Sequence, residues 1–175
     1  VLEKMIHTNG AVPASPNGPY RKAHWVRDGL YVLIGTVYVD RSELAHRLIR
    51  TPFTIFHRHI DRLLAGIRRK PEDLNDFFHA RFKTKRFEEF PEKWGHNQLD
   101  MLGLFLYLVG SLPSQGIRVF LHGQRREDRT LLNKITRYLE TLEWWTCADF
   151  GMWEEGPKRN TSSIGAVLAG LRALK

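Results

Sequence analysis

The sequence predicts an all-α protein that forms one domain over residues 1–175, with three buried helices inside a layer of amphipathic ones. Three observations support this prediction. Two long stretches carry apolar residues at the three-and-four spacing of a helical face. Three others are apolar on nearly every face, and each of these follows a tryptophan and a polar cluster. A length of 175 residues suits one ordinary domain and leaves little room for a second.

The two amphipathic stretches are residues 41–70 and 127–145. The first contains Pro52, which lacks a backbone N–H and is therefore expected to kink the helix or split it in two. In the second, the charged residues fall mostly off the apolar face. The apolar positions are Leu44, Leu48, Ile49, Ile55, Phe56, Ile60, Leu63, Leu64 and Ile67 in the first stretch and Leu131, Leu132, Ile135, Tyr138, Leu139, Leu142 and Trp145 in the second. We expect both stretches to be outer helices that pack one face on the core.

Residues 29–39, 99–112 and 163–174 are apolar on nearly every face. A helix of this composition must be buried on all sides. The stretch 29–39 is also rich in Val, Tyr and Ile, so propensity alone predicts a strand there. The pattern of residues leaves both interpretations of that stretch open.

The apolar stretches form a coarse repeat, because Trp25, Trp94 and Trp153 precede them at steps of 69 and 59 residues. One amphipathic region lies between successive tryptophan clusters, so the repeating unit is an inner helix followed by an outer one. If the inner helices run parallel, their N-terminal ends meet on one face. The polar residues gathered there would be Arg27, Asp28, Gln98, Asp100, Glu154 and Glu155. Helix capping alone explains any one cluster about as well, but it explains three tryptophan-bearing clusters poorly.

Tryptophan with arginine and paired carboxylates is typical of a carbohydrate site. A sugar ring places its apolar CH face on an indole, and its hydroxyls bond to charged groups. Glycosidic cleavage uses two carboxyls on opposite sides of the bond, one of which must be protonated near neutral pH. A neighbouring negative charge and desolvation both raise a carboxyl pKa. Glu154, which lies between Trp153 and Glu155, is therefore a candidate acid, although adjacent glutamates are also common on solvated helix faces.

Three motifs in the chain resemble glycoside hydrolase family 15. They are Cys147–Gly156 with Asn160–Gly165, Ala14–Pro16 with Trp25–Asp28, and Trp94–Asp100. The family contains glucoamylases and glucodextranases, and it is related to the α and β regulatory subunits of phosphorylase kinase. The sequence around Trp94 and Asp149–Gly156 is most similar to those subunits and their microbial relatives. The motifs occur in the family's order and cover most of the chain.

The resemblance implies an (α/α)6 barrel of six inner and six outer helices, of which this chain holds about the N-terminal half. It also implies that residues 29–39 form an inner helix, which overrides the strand predicted from propensity. Fungal glucoamylases carry an aspartate two residues before the motif tryptophan, where this chain has Gly151. The family's general base lies on a glutamate beyond Lys175, so no residue of this chain is nominated for that role. We expect the chain to be an N-terminal fragment that needs its C-terminal half or a partner to complete the barrel.

The resemblance also implies roles for individual residues. Arg27 and Asp28 would bind the non-reducing terminal glucose of an α-glucan or oligosaccharide, in a pocket lined by Trp94. Glu154 would be the general acid, and Glu155 would contribute to substrate binding. The predicted substrate-binding set is Arg27, Asp28, Trp94, Asp100, Trp153 and Glu155, where Asp100 and Trp153 come from the tryptophan repeat. No cofactor and no metal are expected.

Composition and short motifs argue against other classes of protein. The formal charge of +8 favours an acidic partner but describes only the surface. The run 79–87 interleaves basic and aromatic residues, as single-stranded nucleic-acid binders do; a solvated loop with inward-pointing Phe side chains explains it better, and no nucleic acid partner is expected. No apolar run reaches the ~18 residues of a membrane span, and no Cys/His spacing resembles a zinc site. The lone Cys147 suggests a cytoplasmic location.

Three functions remain open on sequence grounds. The leading hypothesis is a glucoamylase-like hydrolase in which Glu154 protonates the leaving oxygen while a base outside this chain activates water. The second is a regulatory or carbohydrate-sensing barrel, like the kinase subunits, that binds without turnover. The third is a basic helical nucleic-acid binder, whose affinity would depend steeply on salt. A glutamate in the downstream base position would separate the first from the second.

Overall fold

A computed structural model describes residues 2–175, which contain six α-helices and one two-stranded antiparallel sheet. In chain order the elements are β1 (Ala23–Trp25), α1 (Val26–Tyr38), α2 (Ser42–Arg58), α3 (Ile60–Arg68), β2 (Arg81–Lys83), α4 (Leu99–Ser111), α5 (Arg125–Leu142) and α6 (Thr161–Ala173). Short 3₁₀ turns cover Leu2–Met5, Pro19–Lys22 and Leu112–Gln115. The predicted all-α class is therefore confirmed, with a very small sheet added to it.

The helices form two layers. Helices α1, α4 and α6 lie side by side in the inner layer, where α4 contacts both of its neighbours. Helix α2 packs on α1, and α3 packs on α5, which gives the outer layer. One apolar core lies between the layers and includes the ring cluster of Phe53, Phe56 and Phe105, in which the Phe105 centroid lies about 5 Å from each of the other two. This inner-and-outer arrangement is that of a partial α/α barrel, as predicted.

The amphipathic stretch 41–70 divides at His59 and not at Pro52; of the two expected effects of Pro52, a kink or a split, the split is wrong. Pro52 is buried inside the continuous helix α2. A proline inside a helix removes one backbone hydrogen bond, and here the burial of the neighbouring Ile49 and Phe53 offsets that loss. The break comes where His59 leaves helical geometry, at φ −107° and ψ 28°. Its Nε2 donates to the Phe87 carbonyl at 2.7 Å, which ties the break to the loop after β2.

Residues 29–39 lie almost entirely in helix α1, so the strand predicted from propensity is wrong and the helix implied by the family resemblance is right. Burial decides the outcome, because Leu30 and Leu33 are 1% and 0% exposed against the rest of the inner core. β-Propensity differences span only about 1 kcal/mol in a host protein. Burying two leucine side chains contributes more than that.

Burial on all sides holds for α4 but not for the other two inner helices. Most of α4 is buried, with only Tyr107 exposed among its large side chains. Helix α1 exposes Tyr31 and Tyr38, which are 53% and 86% accessible, and α6 exposes Leu168. The reason is position, since α4 lies between two neighbours whereas α1 and α6 each have one lateral neighbour in the inner layer.

Helices α4 and α6 approach each other so closely that their backbones touch. A Cβ atom on Gly103 would lie 2.4 Å from the Ala166 carbonyl carbon, and one on Gly170 would lie 2.4 Å from the Gly103 oxygen. Both distances are far below van der Waals contact, so the two glycines are required by the packing and not by a turn. Interlocked small residues give the pair a rigid, closely packed interface.

The small sheet pairs β1 with β2 in antiparallel register, and Trp25 lies opposite Arg81. Sequence periodicity does not predict these three-residue strands. Their pairing matters because β1 leads directly into α1 and fixes where that helix begins. The sheet therefore connects the segment 79–87 to the N-terminal end of the inner layer.

Candidate active site

Arg27 lies where two inner helices begin. The backbone N–H of Val26 donates to the Ala80 carbonyl at 3.0 Å, which anchors the start of α1 to the segment that enters β2. In the first turn of α1, Nη1 of Arg27 donates to Oε1 of Gln98 at 2.9 Å and to Oδ2 of Asp100 at 3.2 Å. The Arg27 side chain is only 9% exposed. These contacts form a buried polar bridge between the N-terminal ends of α1 and α4.

The loop between α5 and α6 brings a third segment to the same guanidinium group. The carbonyls of Gly151 and Met152 accept hydrogen bonds from Arg27 at 3.3 and 3.2 Å. Two residues later, Glu154 adopts a φ of 56°, which is uncommon for a residue with a side chain. Its carboxyl oxygen Oε1 lies 3.9 Å from Nη2 of Arg27. The loop thus turns sharply at the candidate acid and leaves its carboxyl beside the arginine.

Two further donors hold the carboxyl of Glu154. The indole Nε1 of Trp25 donates to Oε1 at 3.1 Å, and Nε2 of Gln98 donates to the same oxygen at 2.8 Å. Within residues 2–175, every hydrogen bond and ion pair of this carboxyl goes to Oε1 and none goes to Oε2. The side chain is 22% exposed. Oε1 is therefore the fixed oxygen, and Oε2 is left to contact a ligand.

Asp149 anchors the loop to the starts of α4 and α6. Its Oδ2 accepts hydrogen bonds from the Leu99 N–H at 3.0 Å, the Gly151 N–H at 3.3 Å and the Ser163 hydroxyl at 2.8 Å. Its Oδ1 accepts from Nδ2 of Asn160 at 2.8 Å. The side chain is buried, and a carboxylate at helix N-termini is favoured by the helix dipole. One buried group therefore joins the starts of α4 and α6 to the loop that carries Glu154.

Burial raises the pKa of two carboxyls around Arg27. For Asp28 the charge on Arg27 opposes this rise in pKa, while Glu154 and Asp100 add to it. For Asp100, Arg27 opposes the rise by its charge and its hydrogen bond, and Asp149 adds to it. Oδ1 of Asp100 is buried and has no hydrogen-bond partner in the described chain. A donor hydroxyl placed there would recover the free energy that an unsatisfied buried acceptor costs.

Four of the seven predicted site residues come together at this point, and a fifth, Trp94, lies beside them. Asp100 and Glu154 both contact Arg27, and Asp28 lies near enough for its pKa to respond to all three charges. Trp94 packs against Arg81, whose guanidinium carbon lies 3.9 Å from the Trp94 ring centroid. These groups cluster at one end of the inner helices, where the tryptophan repeat places them.

The remaining two predicted residues lie apart from the cluster. Trp153 is 75% exposed. Glu155 is exposed and forms an ion pair with Lys158 at 3.0 Å, three residues along the same loop. Neither side chain contacts Arg27 or Glu154 by a hydrogen bond or ion pair within residues 2–175. Their roles in substrate binding, which came from the repeat and the family resemblance, stay predictions.

The sequence gives no indication that Arg81 lies beside the site. This residue lies in the run 79–87, for which the pattern favours a solvated loop with inward-pointing phenylalanines. Phe82 and Phe87 are indeed buried, but so is Arg81, at 8% exposure. Its guanidinium lies between the rings of Trp25, Phe90 and Trp94. The spacing of residues in the sequence does not indicate that residues 81–83 pair with residues 23–25. The contact of Arg81 with Trp25 therefore could not be predicted from the sequence.

His79 and His96 form a stacked pair beside this cluster. Their ring centroids are 3.6 Å apart and the planes differ by 9°. The Ala80 N–H donates to Nδ1 of His96 at 3.3 Å, which requires that nitrogen to be unprotonated. Burial lowers the pKa of His79 to about 4 and that of His96 to about 3. Nearby charges act in both directions on these pKa values, with Arg62 disfavouring protonation and Glu89 favouring it.

The stacked histidines predict a loss of stability in mild acid. Unfolded histidines take up protons near pH 6.5, while the folded pair stays neutral to about pH 4 and below. The stabilising contribution is thus present above pH 6.5 and is lost as the pH falls from 6.5 toward 4. The urea concentration at the midpoint of denaturation should fall as the pH falls across this range. It should fall less steeply with pH in the double variant His79→Gln/His96→Gln. The exposed His122→Gln variant should keep the wild-type slope, and equal slopes in all three proteins would contradict the assignment.

Within residues 2–175, no group of three or more His, Cys, Asp or Glu side chains is placed to hold a metal ion. Over the same part of the chain, no helix combines the length and the apolar composition needed to cross a bilayer.

These helix layers, with a polar cluster at the N-terminal ends of the inner helices, form part of an α/α barrel of the kind found in glycosidases. Residues 3–175 match the family model described as Glycosyl hydrolases family 15, and the chain belongs to this family. The family resemblance seen in the sequence motifs is thereby confirmed.

Solved structures and curated relatives agree with this assignment. A wild-type glycosidase is 26% identical with a TM-score of 0.76, and a glycosidase variant in complex with glucose is 25% identical with a TM-score of 0.77. Each alignment covers 98% of this chain and 46% of the solved chain. The α regulatory subunit of phosphorylase b kinase from rabbit skeletal muscle (Oryctolagus cuniculus) is 25% identical over 197 residues, covering 97% of this chain and 15% of the relative. The mouse (Mus musculus) liver isoform is 25% identical over 181 residues, covering 88% and 14%.

Proposed function

We propose that this chain is part of an inverting glycoside hydrolase that cleaves α-glucosidic bonds in α-glucans or oligosaccharides, with Glu154 as the general acid. The observation that carries the proposal is the set of three contacts on Oε1 of Glu154, from Trp25, Gln98 and Arg27. They fix one oxygen of the carboxyl and leave the other to act on a ligand. Family membership supplies the reaction class.

Sugar binding follows from the groups around Arg27. The hydroxyls of a terminal glucose would donate to the carboxyls of Asp28 and Asp100, which lie beside Arg27. Hydrogen bonds with a charged partner are the strong kind. The indole of Trp94 offers an apolar face for the sugar ring. Trp153 and Glu155, on the exposed part of the loop, would then contact a longer substrate beyond the terminal unit.

Cleavage begins when the protonated Oε2 of Glu154 gives its proton to the glycosidic oxygen. The bond between the anomeric carbon and that oxygen breaks, and positive charge develops on the sugar ring. A water molecule attacks from the opposite face after a general base takes its proton. Inverting enzymes place the two carboxyls about 6.5–9.5 Å apart to leave room for that water. The base is proposed to lie outside residues 1–175, as the family resemblance implies.

Completion of the barrel is part of the proposal. The chain spans less than half of the matched solved chains, at 46%, and about 15% of the curated relatives. Tyr31 and Tyr38 on α1 and Leu168 on α6 are exposed at the two edges of the inner layer. We propose that the C-terminal half of the barrel, or a partner chain, covers these edges. Apolar faces of this kind are rarely left open in monomeric soluble proteins.

A regulatory, non-catalytic barrel is the second candidate. The curated relatives that support it are named as regulatory subunits of phosphorylase b kinase. Such a protein would use the same cluster to bind a sugar or a partner without turnover. The two candidates share the binding site and differ only in the outcome for the glycosidic bond.

The discriminating experiment is to incubate the full-length protein with maltooligosaccharides and follow the products by proton NMR. Inversion at the anomeric carbon predicts β-glucose as the first product, before mutarotation. Release of α-glucose first would contradict an inverting mechanism. Saturable binding measured by calorimetry, with no release of sugar, would instead establish the regulatory candidate.

A further inference from the structure

Arg81 has an unusual setting for a charged side chain. It is 8% exposed, and its guanidinium carbon lies 3.9, 4.9 and 5.7 Å from the ring centroids of Trp94, Phe90 and Trp25. Its only ion pair in the described chain is a long one, 3.7 Å from the carboxyl of Glu92. Burial lowers the pKa of Arg81. The cation is therefore held mainly by the faces of aromatic rings.

This arrangement costs stability. Nε of Arg81 and Nε1 of Trp94 are both buried without a hydrogen-bond partner in residues 2–175. An unsatisfied buried donor is destabilising, and a hydrophobic side chain of similar size at position 81 avoids that cost. The unsatisfied donors therefore offset part of what the cation–π contacts contribute to stability.

The contacts of Arg81 lead directly to the candidate acid. Trp25 lies opposite Arg81 in the sheet register, and its indole N–H makes one of the two hydrogen bonds that fix Oε1 of Glu154. On its other side Arg81 stacks against the indole of Trp94 at 3.9 Å. One guanidinium group thus lies against two indoles, and one of them contacts the candidate acid.

We propose that Arg81 is a positioning residue for the site, which rests on the proposed function. It clamps Trp25 and Trp94 in fixed orientations, and through Trp25 it fixes the carboxyl of Glu154. It does not touch the sugar itself. Small displacements of a catalytic group reduce rates strongly, by about 10²-fold for 1 Å, so loss of the clamp should reduce turnover more than stability.

The test compares Arg81→Met, Arg81→Lys and the exposed control Arg86→Met in the full-length protein. In Arg81→Met we expect the near-UV circular dichroism of tryptophan to weaken, while the far-UV spectrum and the urea midpoint stay at or above wild type. We expect kcat on maltooligosaccharides to fall about 30-fold, with a smaller change in KM. Arg81→Lys keeps the charge but not the planar stacking group, so it should restore part of kcat. Arg86→Met should match wild type in every measurement.

Each outcome bears on the clamp separately from the hydrolase proposal. A urea midpoint that falls in parallel with kcat would show a merely structural residue, and a wild-type kcat or an unchanged near-UV spectrum in Arg81→Met would overturn the clamp. If the wild type binds sugar without turnover, the hydrolase proposal fails but the clamp is still tested. It then predicts about tenfold weaker sugar binding in Arg81→Met by calorimetry, and equal affinity would overturn it. If no sugar binds at all, the near-UV spectrum alone decides whether Arg81 fixes the indoles.

Discussion

Replacing Glu154 with glutamine in the full-length protein should reduce kcat on maltooligosaccharides by about 10³-fold, within the range for a lost general acid. Sugar affinity should change by no more than about threefold, a margin of under about 1 kcal/mol. The amide oxygen of the new side chain still accepts from Trp25 and Gln98, so the side chain keeps its place. The amide has no acidic proton to give to the leaving oxygen. Kinetics and calorimetry on the same preparation measure both quantities.

The matched control for this variant is Glu140→Gln. Glu140 is exposed on α5, its side chain makes no hydrogen bond in residues 2–175, and its replacement makes the same change of charge. This variant should leave kcat and sugar affinity at wild-type values. Retention of turnover in Glu154→Gln would rule out the general-acid assignment. A loss of affinity as large as the loss of kcat would make Glu154 a binding residue instead.

Asp149→Ala should destabilise the protein by about 3–5 kcal/mol, the size expected when a buried hydrogen-bonded network is broken. Asp149 is the common acceptor for donors at the starts of α4 and α6 and in the loop that carries Glu154. Removing its carboxylate leaves those donors buried and unsatisfied. Urea denaturation followed by tryptophan fluorescence measures the change in the free energy of unfolding.

Asp73→Ala provides the comparison, because Asp73 is exposed and its side chain makes no hydrogen bond in residues 2–175. We expect a change within about 0.5 kcal/mol for this surface position. If Asp149→Ala were equally mild, the loop would not depend on the Asp149 network. A mild effect on stability with a large loss of sugar binding would point to a local role in loop geometry.

Periodicity predicts the helices well where one face is apolar. Helix α5 begins at Arg125, close to the start of the predicted stretch, and ends at Leu142, where Glu143 turns into the left-handed region with φ 55°. Trp145, which the pattern places on the apolar face of that helix, therefore falls beyond its end and is 51% exposed. Helix ends depend on local capping geometry, which the apolar pattern does not encode.

The parts of the fold that the sequence does not predict depend on contacts between distant residues. The strand propensity of residues 29–39 is overridden by burial against other helices, which only the assembled fold supplies. Pro52 stays inside α2 because its surroundings are buried. The β1–β2 pairing joins residues 23–25 to residues 81–83, and three whole helices separate these strands along the chain.

The candidate site is predictable in its charged members and not in its supporting ones. Arg27 and Glu154 lie in motifs whose resemblance to the family is specific, and both stand in the cluster. The indole beside Glu154 is that of Trp25, whereas the adjacent Trp153 is exposed. Adjacency in sequence is a poor guide here, because the positive φ of Glu154 turns the carboxyl away from its chain neighbours toward α1.

The close contact of α4 with α6 has a mechanical consequence. Backbones that touch at Gly103 and Gly170 cannot slide past each other. Helices α4 and α6, with the loop that Asp149 holds to them, therefore form one rigid unit. Helix α1 is joined to this α4–α6 unit by side chains, chiefly that of Arg27. A change in the shape of the site would therefore be a displacement of α1 relative to the α4–α6 unit. Such a motion would alter the gap between Arg27 and Glu154 and would also strain the hydrogen bond from Trp25 to Glu154, because Trp25 directly precedes α1.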